Sequence, residues 1–274
     1  MESSREYASR VLKKYEFKTK KSLGQNFLVN DEVLERIVSY VPAGSAVFEI
    51  GPGIGLLTRK LIGTASKVIT VEIDDKLCDI LREEMPQNNL KVIDADIMDM
   101  DIDSILPEKS IAIANIPYYI TTPIITKIMT SSCMITDAVL TIQKEAAHKV
   151  VAQPGDEGYG ILSLVCEIYG RPEVLFNVSR DSFLPQPKVE SSVVHFNKRK
   201  PDLPVDERDL LKVIKTSFGK RRKTVFNSLS TLFAGDRDSF KELLSENGIN
   251  PMARPDSLTC RDFELITGII FDKS

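Results

Sequence analysis

The chain has 274 residues, of which 42% are hydrophobic and 27% are charged, with a net charge of -3 at pH 7. This composition predicts a globular protein with enough apolar mass for one large core and a smaller second one. No apolar run reaches about 18 residues, so we expect no membrane span. The polar, Lys-rich residues 1–21 lack the apolar stretch of a secretory signal. Four cysteines without CxxC spacing argue against a disulfide framework or a metal site, and they suit reduced thiols in the cytoplasm.

Strand-like and helix-like patterns alternate through the first two thirds of the chain. Five apolar, β-branched runs predict buried strands: Ala46–Ile50, Lys67–Glu72, Leu90–Ile93, Ile111–Asn115 and Ala138–Ile142. Helical patterns between and around them cover Asp31–Val41, Leu56–Leu61, Asp75–Glu84, Thr122–Met129 and Lys144–Val151. This alternation predicts an α/β domain with a doubly wound, mostly parallel sheet.

The pattern changes after about residue 160. A helix over Ile161–Tyr169 precedes two runs, Glu173–Val178 and Ser191–Asn197, which predict a strand pair with an antiparallel strand at one end of the sheet. Two prolines in residues 198–206 mark a linker, and helical periodicity from Glu207 predicts a small all-helical C-terminal domain.

The sequence thus predicts three regions. A mobile basic segment covers residues 1–21, a catalytic domain covers 22–200, and a helical domain covers 201–274.

A glycine-rich turn, Glu49-Ile-Gly-Pro-Gly53, follows the first strong strand. Gly51 and Gly53 permit a tight turn and a close approach of the backbone to a ligand. Glu72, at the end of the next strand, is suited to the hydroxyls of an adenosine ribose, and Asp96, one strand later, to the adenine amino group. A glycine turn alone fits a dinucleotide-dependent oxidoreductase, or a purely structural turn. The motif after the fourth strand decides in favour of S-adenosylmethionine.

That motif is Asn115-Ile-Pro-Tyr118. An exocyclic adenine amine is a poor nucleophile, and the Asn115 side-chain oxygen and the Ile116 carbonyl could both accept hydrogen bonds from its hydrogens. Such bonds strengthen as the amine becomes pyramidal in the transition state. Pro117 stiffens the loop, and Tyr118 offers a stacking face for a base. Displacement at a sulfonium requires no general base, so His148 and His195 are interpreted as ordinary helix and strand positions.

Together these motifs resemble the KsgA (RsmA) family of small-subunit ribosomal RNA adenine N6,N6-dimethyltransferases, from about Lys20 to Phe271. The strongest marks are Ser22-Leu-Gly-Gln-Asn-Phe-Leu28, Glu49-Ile-Gly-Pro-Gly53, Asn115-Ile-Pro-Tyr118 and Phe183-Leu-Pro-Gln-Pro-Lys-Val-Glu-Ser191. The resemblance implies a Rossmann-like class I methyltransferase sheet. It also implies that Asn26 and Leu28 contact the cofactor with Gly51, Gly53, Glu72, Asp96 and Asn115. Phe183 would stack on the target base, although its spacing alone favours a core residue that anchors its loop.

The resemblance further implies a substrate and a partner. Two adjacent adenosines in the 3′-terminal hairpin loop of 16S rRNA would each be dimethylated in the 30S subunit or its precursor, late in ribosome assembly. The segments 217–229 and 254–258 resemble the same family, and Lys220, Arg221, Arg222 and Lys223 would contact rRNA phosphates. A merely solvated helix surface is the alternative for this basic cluster. We expect a cytoplasmic monomer.

Three other functions compete with this interpretation. The Erm methyltransferases share the glycine turn and both loop motifs but act on 23S rRNA. A non-catalytic assembly or transcription factor could keep the same fold. A DNA adenine methyltransferase would carry a Pro-Pro-Tyr loop and a target-reading domain, and neither is evident in the sequence.

Overall fold

The computed structural model describes residues 2–20, 23–107, 109–131, 134–219 and 223–271. The α-helices over these residues are α1 (Ser4–Lys14), α2 (Asp31–Val38), α3 (Thr58–Leu61), α4 (Asp75–Glu84), α5 (Thr121–Thr130), α6 (Lys144–Val151), α7 (Ile161–Tyr169), α8 (Glu207–Phe218), α9 (Val225–Leu229), α10 (Arg237–Glu246) and α11 (Cys260–Phe271). The strands are β1 (Phe27–Leu28), β2 (Ala46–Ile50), β3 (Lys67–Glu72), β4 (Leu90–Asp94), β5 (Ser110–Asn115), β6 (Ile135–Gln143), β7 (Gly170–Val178), β8 (Phe183–Leu184) and β9 (Ser191–Lys198).

Seven strands form one sheet in the order β4-β3-β2-β5-β6-β9-β7. The first five are parallel, and β9 runs antiparallel to both of its neighbours. The predicted α/β fold class is therefore confirmed. The antiparallel strand lies one position in from the edge, because β7 pairs with the outer side of β9 and forms the edge itself.

The strand order reverses between β2 and β5. From β2 the chain continues outward to β3 and β4, whereas β5 and β6 lie on the other side of β2. Connections that leave two neighbouring parallel strands in opposite directions open a crevice beyond their carboxyl ends. Gly51 and Asn115 stand at these two ends, because Ile50 is in register with Ala114. Covered by helices, β2 buries Val47, Phe48 and Ile50 almost completely.

The N-terminal segment, which we expect to be mobile, contains α1. Ser3 begins the helix with a capping box in which its hydroxyl accepts from the Glu6 N–H and the Glu6 carboxylate accepts from the Ser3 N–H. Tyr7, Ala8 and Val11 form an apolar stripe at helical spacing that is buried in the core. The charged residues around that stripe, such as Arg5, Glu6 and Arg10, obscured it in the sequence.

The described chain divides into two compact units whose segments alternate along the sequence. One unit comprises residues 1–147 and 170–199, and the other comprises 148–169 and 200–274. The second unit differs from the predicted helical domain because it includes α7. Within it, the buried Tyr159 donates a hydrogen bond to the Leu258 carbonyl (2.9 Å), and Tyr169 donates one to Glu207 (2.6 Å). Helix α7 also packs against α8 and α11 of the same unit.

Two further findings concern the residues that the structure describes. Over these residues, no helix is long and apolar enough to cross a membrane. Cys78, Cys166 and Cys260 are buried thiols outside any disulfide, and no His, Cys, Asp and Glu side chains of the described chain gather into a group able to hold a metal ion.

Candidate active site

A cleft opens at the carboxyl ends of β2, β3 and β5, and its volume is about 1170 Å³ when the part open to solvent is included. Ten residues that the sequence singled out line it together: Asn26, Leu28, Gly51, Gly53, Glu72, Asp96, Asn115, Ile116, Pro117 and Tyr118. The segment 23–28 also lines the cleft, so the sequence motif that precedes the sheet is part of the same site.

The glycine turn forms the floor of the cleft beyond β2. Gly51 (φ 64°) and Gly53 (φ 60°) adopt left-handed backbone conformations that other residues enter only at a cost. A Cβ atom at Gly53 would lie 2.8 Å from Cε1 of Phe27, so the ring of Phe27 packs directly on the turn. At Gly51 a Cβ atom would meet nothing within 4 Å. The turn therefore leaves bare backbone facing the cleft.

Glu72 ends β3 with a carboxylate that is 6% exposed and is held by three backbone N–H groups. Gly53 donates to Oε2 (3.1 Å), while Ile73 (3.0 Å) and Asp74 (3.1 Å) donate to Oε1. Burial raises the pKa of Glu72, and the three N–H donors oppose that shift. A carboxylate has about four acceptor positions, so one position on Oε2 stays available for a ligand hydroxyl.

Asp96 lies beyond the end of β4 and is half-buried at the cleft wall. Its Oδ1 atom accepts a hydrogen bond from the Met98 N–H at 2.8 Å, which fixes the side chain. The carboxylate keeps acceptor capacity on its other oxygen, as recognition of an adenine amino group requires.

The loop after β5 presents Asn115 and Ile116 side by side. The Asn115 Nδ2 group donates to the Asn26 carbonyl at 2.8 Å, and the Ile116 N–H donates to the Thr141 carbonyl at 3.0 Å. Among the described residues, none donates a hydrogen bond to the Ile116 carbonyl. The Tyr118 hydroxyl is 2.7 Å from the Ser191 hydroxyl, and burial raises the pKa of Tyr118.

Phe183 is not brought to the cleft. It is 2% exposed, forms part of the hydrophobic core, and pairs across the short β1–β8 ladder with Leu28, which does line the cleft. In this conformation Phe183 anchors its loop behind the cleft wall. Of the basic cluster, Lys220, Arg221 and Arg222 lie outside the described residues, and Lys223 is exposed.

Glu49 and Tyr119 also line the cleft, although neither was among the predicted site residues. Glu49, in the strand before the glycine turn, is 2% exposed, and burial raises its pKa to about 8, while the Thr58 hydroxyl donates to it at 2.7 Å. Its signal was an acidic residue inside an otherwise apolar strand. Tyr119 is 59% exposed and stands against Gly24 across the mouth of the cleft. An exposed aromatic residue in a loop carries no periodic signal.

A mostly parallel sheet with a glycine turn at its switch point and an Asn-x-Pro-Tyr loop on the next strand defines a Rossmann-like methyltransferase. Residues 16–269 match the family model described as ribosomal RNA adenine dimethylase, and the chain belongs to this family.

Relatives and solved structures agree with that assignment. The chain is 38% identical to the ribosomal RNA small subunit methyltransferase A of Clostridioides difficile, over 99% of this chain and 97% of the relative. A dimethyladenosine transferase from Plasmodium falciparum superposes with a TM-score of 0.75 at 26% identity, covering 87% of this chain and 95% of that chain. The 23S rRNA methyltransferase ErmE superposes with a TM-score of 0.65 at 25% identity, covering 90% and 100%.

Proposed function

We propose that this enzyme uses S-adenosylmethionine to dimethylate N6 of two adjacent adenosines in the 3′-terminal hairpin loop of 16S rRNA. The observation that carries the proposal is the side-by-side presentation of the Asn115 amide and the Ile116 carbonyl at the carboxyl end of β5. Membership of the adenine dimethylase family and the name of the C. difficile relative support the choice of small-subunit rRNA.

The residues of the cleft fit S-adenosylmethionine. Glu72 is fixed by three N–H donors and retains acceptor capacity for a ribose hydroxyl. Asp96 can accept from an adenine amino group, and the bare backbone at Gly51 allows close approach. Asn26 and Leu28 close the cleft from the other side. When bound, S-adenosylmethionine supplies an electrophilic methyl group on a sulfonium sulfur.

The chain's own contribution to the reaction is to hold the target amine. Asn115 Oδ1 and the Ile116 carbonyl accept hydrogen bonds from the two N6 hydrogens, and these bonds strengthen as the amine becomes pyramidal. Pro117 restricts the loop that presents the carbonyl, and Tyr118 offers a face for the base. No side chain has to remove a proton before the attack, so alignment is the main source of catalysis.

The proposed partner is the 30S subunit or its precursor, bound by a monomer in the cytoplasm late in ribosome assembly. The exposed Lys223, together with Lys220, Arg221 and Arg222, would contact rRNA phosphates without reading sequence. Phe183 is proposed as a stacking residue only after a rearrangement that frees it from the β1–β8 pair. Phe183→Leu keeps an apolar anchor for the loop, so a loss of activity at unchanged stability would support stacking.

Methyl transfer to separately purified 30S and 50S subunits that lack these modifications tests the proposal. We expect label from S-adenosylmethionine in 30S subunits, recovered as dimethyladenosine near the 3′ end of 16S rRNA, and its loss with Asn115→Ala. Incorporation into 50S subunits would instead indicate an activity of the ErmE type. Cofactor binding without incorporation into either subunit would indicate a non-catalytic assembly factor.

A further inference from the structure

The segment Leu23–Leu28, here called the strap, lines one side of the cleft and is tied down at two places. One tie joins it to Asp74, in the loop that follows Glu72 at the end of β3. The other joins it to Asn115 at the end of β5. The strap therefore connects the end of the cleft proposed for the ribose with the group proposed to hold the target amine.

The first tie is a cluster of Lys20, Gln25 and Asp74, here called the clasp. The Asp74 side chain is 1% exposed, and its Oδ2 atom lies 2.9 Å from Lys20 Nζ and 3.2 Å from Gln25 Nε2. Gln25 Oε1 in turn accepts from the Lys20 backbone N–H at 2.7 Å. Each member thus contacts the other two. A carboxylate this buried requires such partners, so the clasp is held firmly at its Asp74 end.

The clasp is also connected to the proposed cofactor site. The Asp74 N–H donates at 3.1 Å to Oε1 of Glu72, which lies two residues earlier at the end of β3. Asp74 is in addition the N-cap residue of α4, which fixes its backbone. The strap is therefore anchored to a rigid element and not to a loose loop.

At the second tie, the Asn26 carbonyl accepts a hydrogen bond from Asn115 Nδ2 at 2.8 Å. Asn26 is itself held because its side chain donates to the Gly24 carbonyl at 2.9 Å. A carboxamide carries its donor and its acceptor on opposite sides. With Nδ2 committed to the strap, Oδ1 is the group that Asn115 can offer to the N6 hydrogens. In the flipped orientation, an NH2 group would face those hydrogens.

We propose that the clasp is a positioning device for catalysis. It holds the strap so that the Asn26 carbonyl selects the orientation of the Asn115 amide in which oxygen faces the target amine. Lys20, Gln25 and Asp74 are then positioning residues that act through Asn115, although none of them belongs to the Asn-x-Pro-Tyr loop. The catalytic part of this inference rests on the proposed function, whereas the orientation of the amide does not.

The variant that tests the proposal is Lys20→Met. Lys20 has a 53% exposed side chain, so its loss should leave the fold intact while weakening the clasp. Lys60→Met is the matched control, because Lys60 also pairs with carboxylates, of Asp31 (3.2 Å) and Glu35 (3.0 Å), whereas these partners lie outside the clasp. Lys20→Arg keeps the charge and should restore the wild-type behaviour.

The first readout is the side-chain NH2 resonance of Asn115 in the protein without ligands. We expect slow hydrogen exchange in the wild type and in Lys60→Met, and faster exchange in Lys20→Met. Asp74→Asn provides a second variant, which removes the charge of the clasp but keeps an acceptor for Gln25. It should give an intermediate exchange rate. Unchanged protection of the Asn115 amide in both clasp variants would overturn the proposal, whether or not the protein methylates rRNA.

The second readout is kcat at saturating cofactor and substrate. Lys20→Met should lower kcat about tenfold, as expected when one oriented hydrogen bond is lost in the transition state. In an Asn115→Ala background the same change should have no further effect, because the clasp acts through Asn115. A weaker cofactor affinity with unchanged kcat would also overturn the proposal, since the clasp would then serve binding alone. An inactive wild type would count against the proposed function, and the amide exchange would still decide the orientation.

Discussion

Gly44 and Gly51 allow the role of the glycine turn in ligand binding to be separated from its role in folding. Both glycines have left-handed φ angles, 79° and 64°, and a Cβ atom at either would meet no atom within 4 Å. Replacement with alanine should therefore cost each variant only the backbone penalty, about 1–2 kcal/mol in the free energy of unfolding. The two positions differ in that Gly51 lines the cleft and Gly44 does not.

We therefore expect Gly44→Ala and Gly51→Ala to lose similar stability in urea unfolding followed by circular dichroism. Only Gly51→Ala should also lose affinity for S-adenosylmethionine in calorimetry, by about tenfold or more, because its methyl group would project to where backbone must approach the ligand. Equal cofactor affinities in the two folded variants would refute this reasoning and would mean that Gly51 serves only the conformation of the turn.

Gly53→Ala extends the same series. It carries the same kind of backbone penalty (φ 60°), and in addition its Cβ would lie 2.8 Å from Cε1 of Phe27, a buried residue of the strap. Displacing a packed ring adds about 1–3 kcal/mol. Gly53→Ala should thus be clearly less stable than Gly44→Ala. Equal stabilities would mean that Phe27 moves aside freely.

Three further predictions concern single polar groups of the same unit. Glu72→Gln should weaken cofactor binding about tenfold or more in calorimetry, because an amide cannot accept from all three N–H donors and a ribose hydroxyl. If the variant bound the cofactor with wild-type affinity, Glu72 would not be a cofactor-binding residue. Burial raises the pKa of Glu49 from 4.5 to about 8, so the folded protein keeps a proton that the unfolded chain releases. The free energy of unfolding without ligand should therefore fall as the pH rises from about 4.5 to 8. Glu49→Gln should make this pH dependence weaker, and an unchanged pH dependence would mean that other titrating groups cause it. Tyr7→Phe removes the hydrogen bond to the Ile54 carbonyl (3.2 Å) and should lower the free energy of unfolding by about 1 kcal/mol in urea titrations. An unchanged free energy of unfolding would mean that water replaces the hydroxyl.

Several elements with a clear strand or helix pattern were predicted from the sequence to the residue. The bounds of β2, β3, α4, α6 and α7 agree with the prediction. The predicted bounds of two other elements, α2 and β6, were wrong. Helix α2 stops at Val38 and not at Val41, because the chain beyond it tightens into turns in which Tyr40 donates to the Ile37 carbonyl and Val41 to the Val38 carbonyl. Pro42 then disfavours helical backbone in Val41. Strand β6 begins at Ile135, earlier than predicted. The prediction began too late because Asp137 interrupts the apolar run, and in the structure Asp137 is 3.0 Å from His195 of β9.

The cleft residues on the sheet were predictable because the carboxyl ends of neighbouring parallel strands converge. Contacts that depend on pairing distant segments were not. Asn26 and Asn115 are 89 residues apart, and neither position has a pattern that indicates a bond between them. For Phe183 the spacing favoured the buried position that the structure shows, but the two-residue strands β1 and β8 carry no periodicity that would predict its pairing with Leu28. Likewise, a helical pattern shows that α7 forms but not which helices cover it.

Because the segments of the two units alternate along the sequence, neither unit can finish folding early in translation. When synthesis has passed residue 169, α7 is complete, but α8 and α11, which cover it, have not yet been translated. The sheet of the unit that contains the cleft is also incomplete until β7 and β9 have been translated. A nascent chain therefore carries an apolar helix that lacks its α8 and α11 partners until near the end of translation. For the same reason, a truncation at the linker near residue 200 would expose α7, and a soluble fragment would have to omit or redesign that helix.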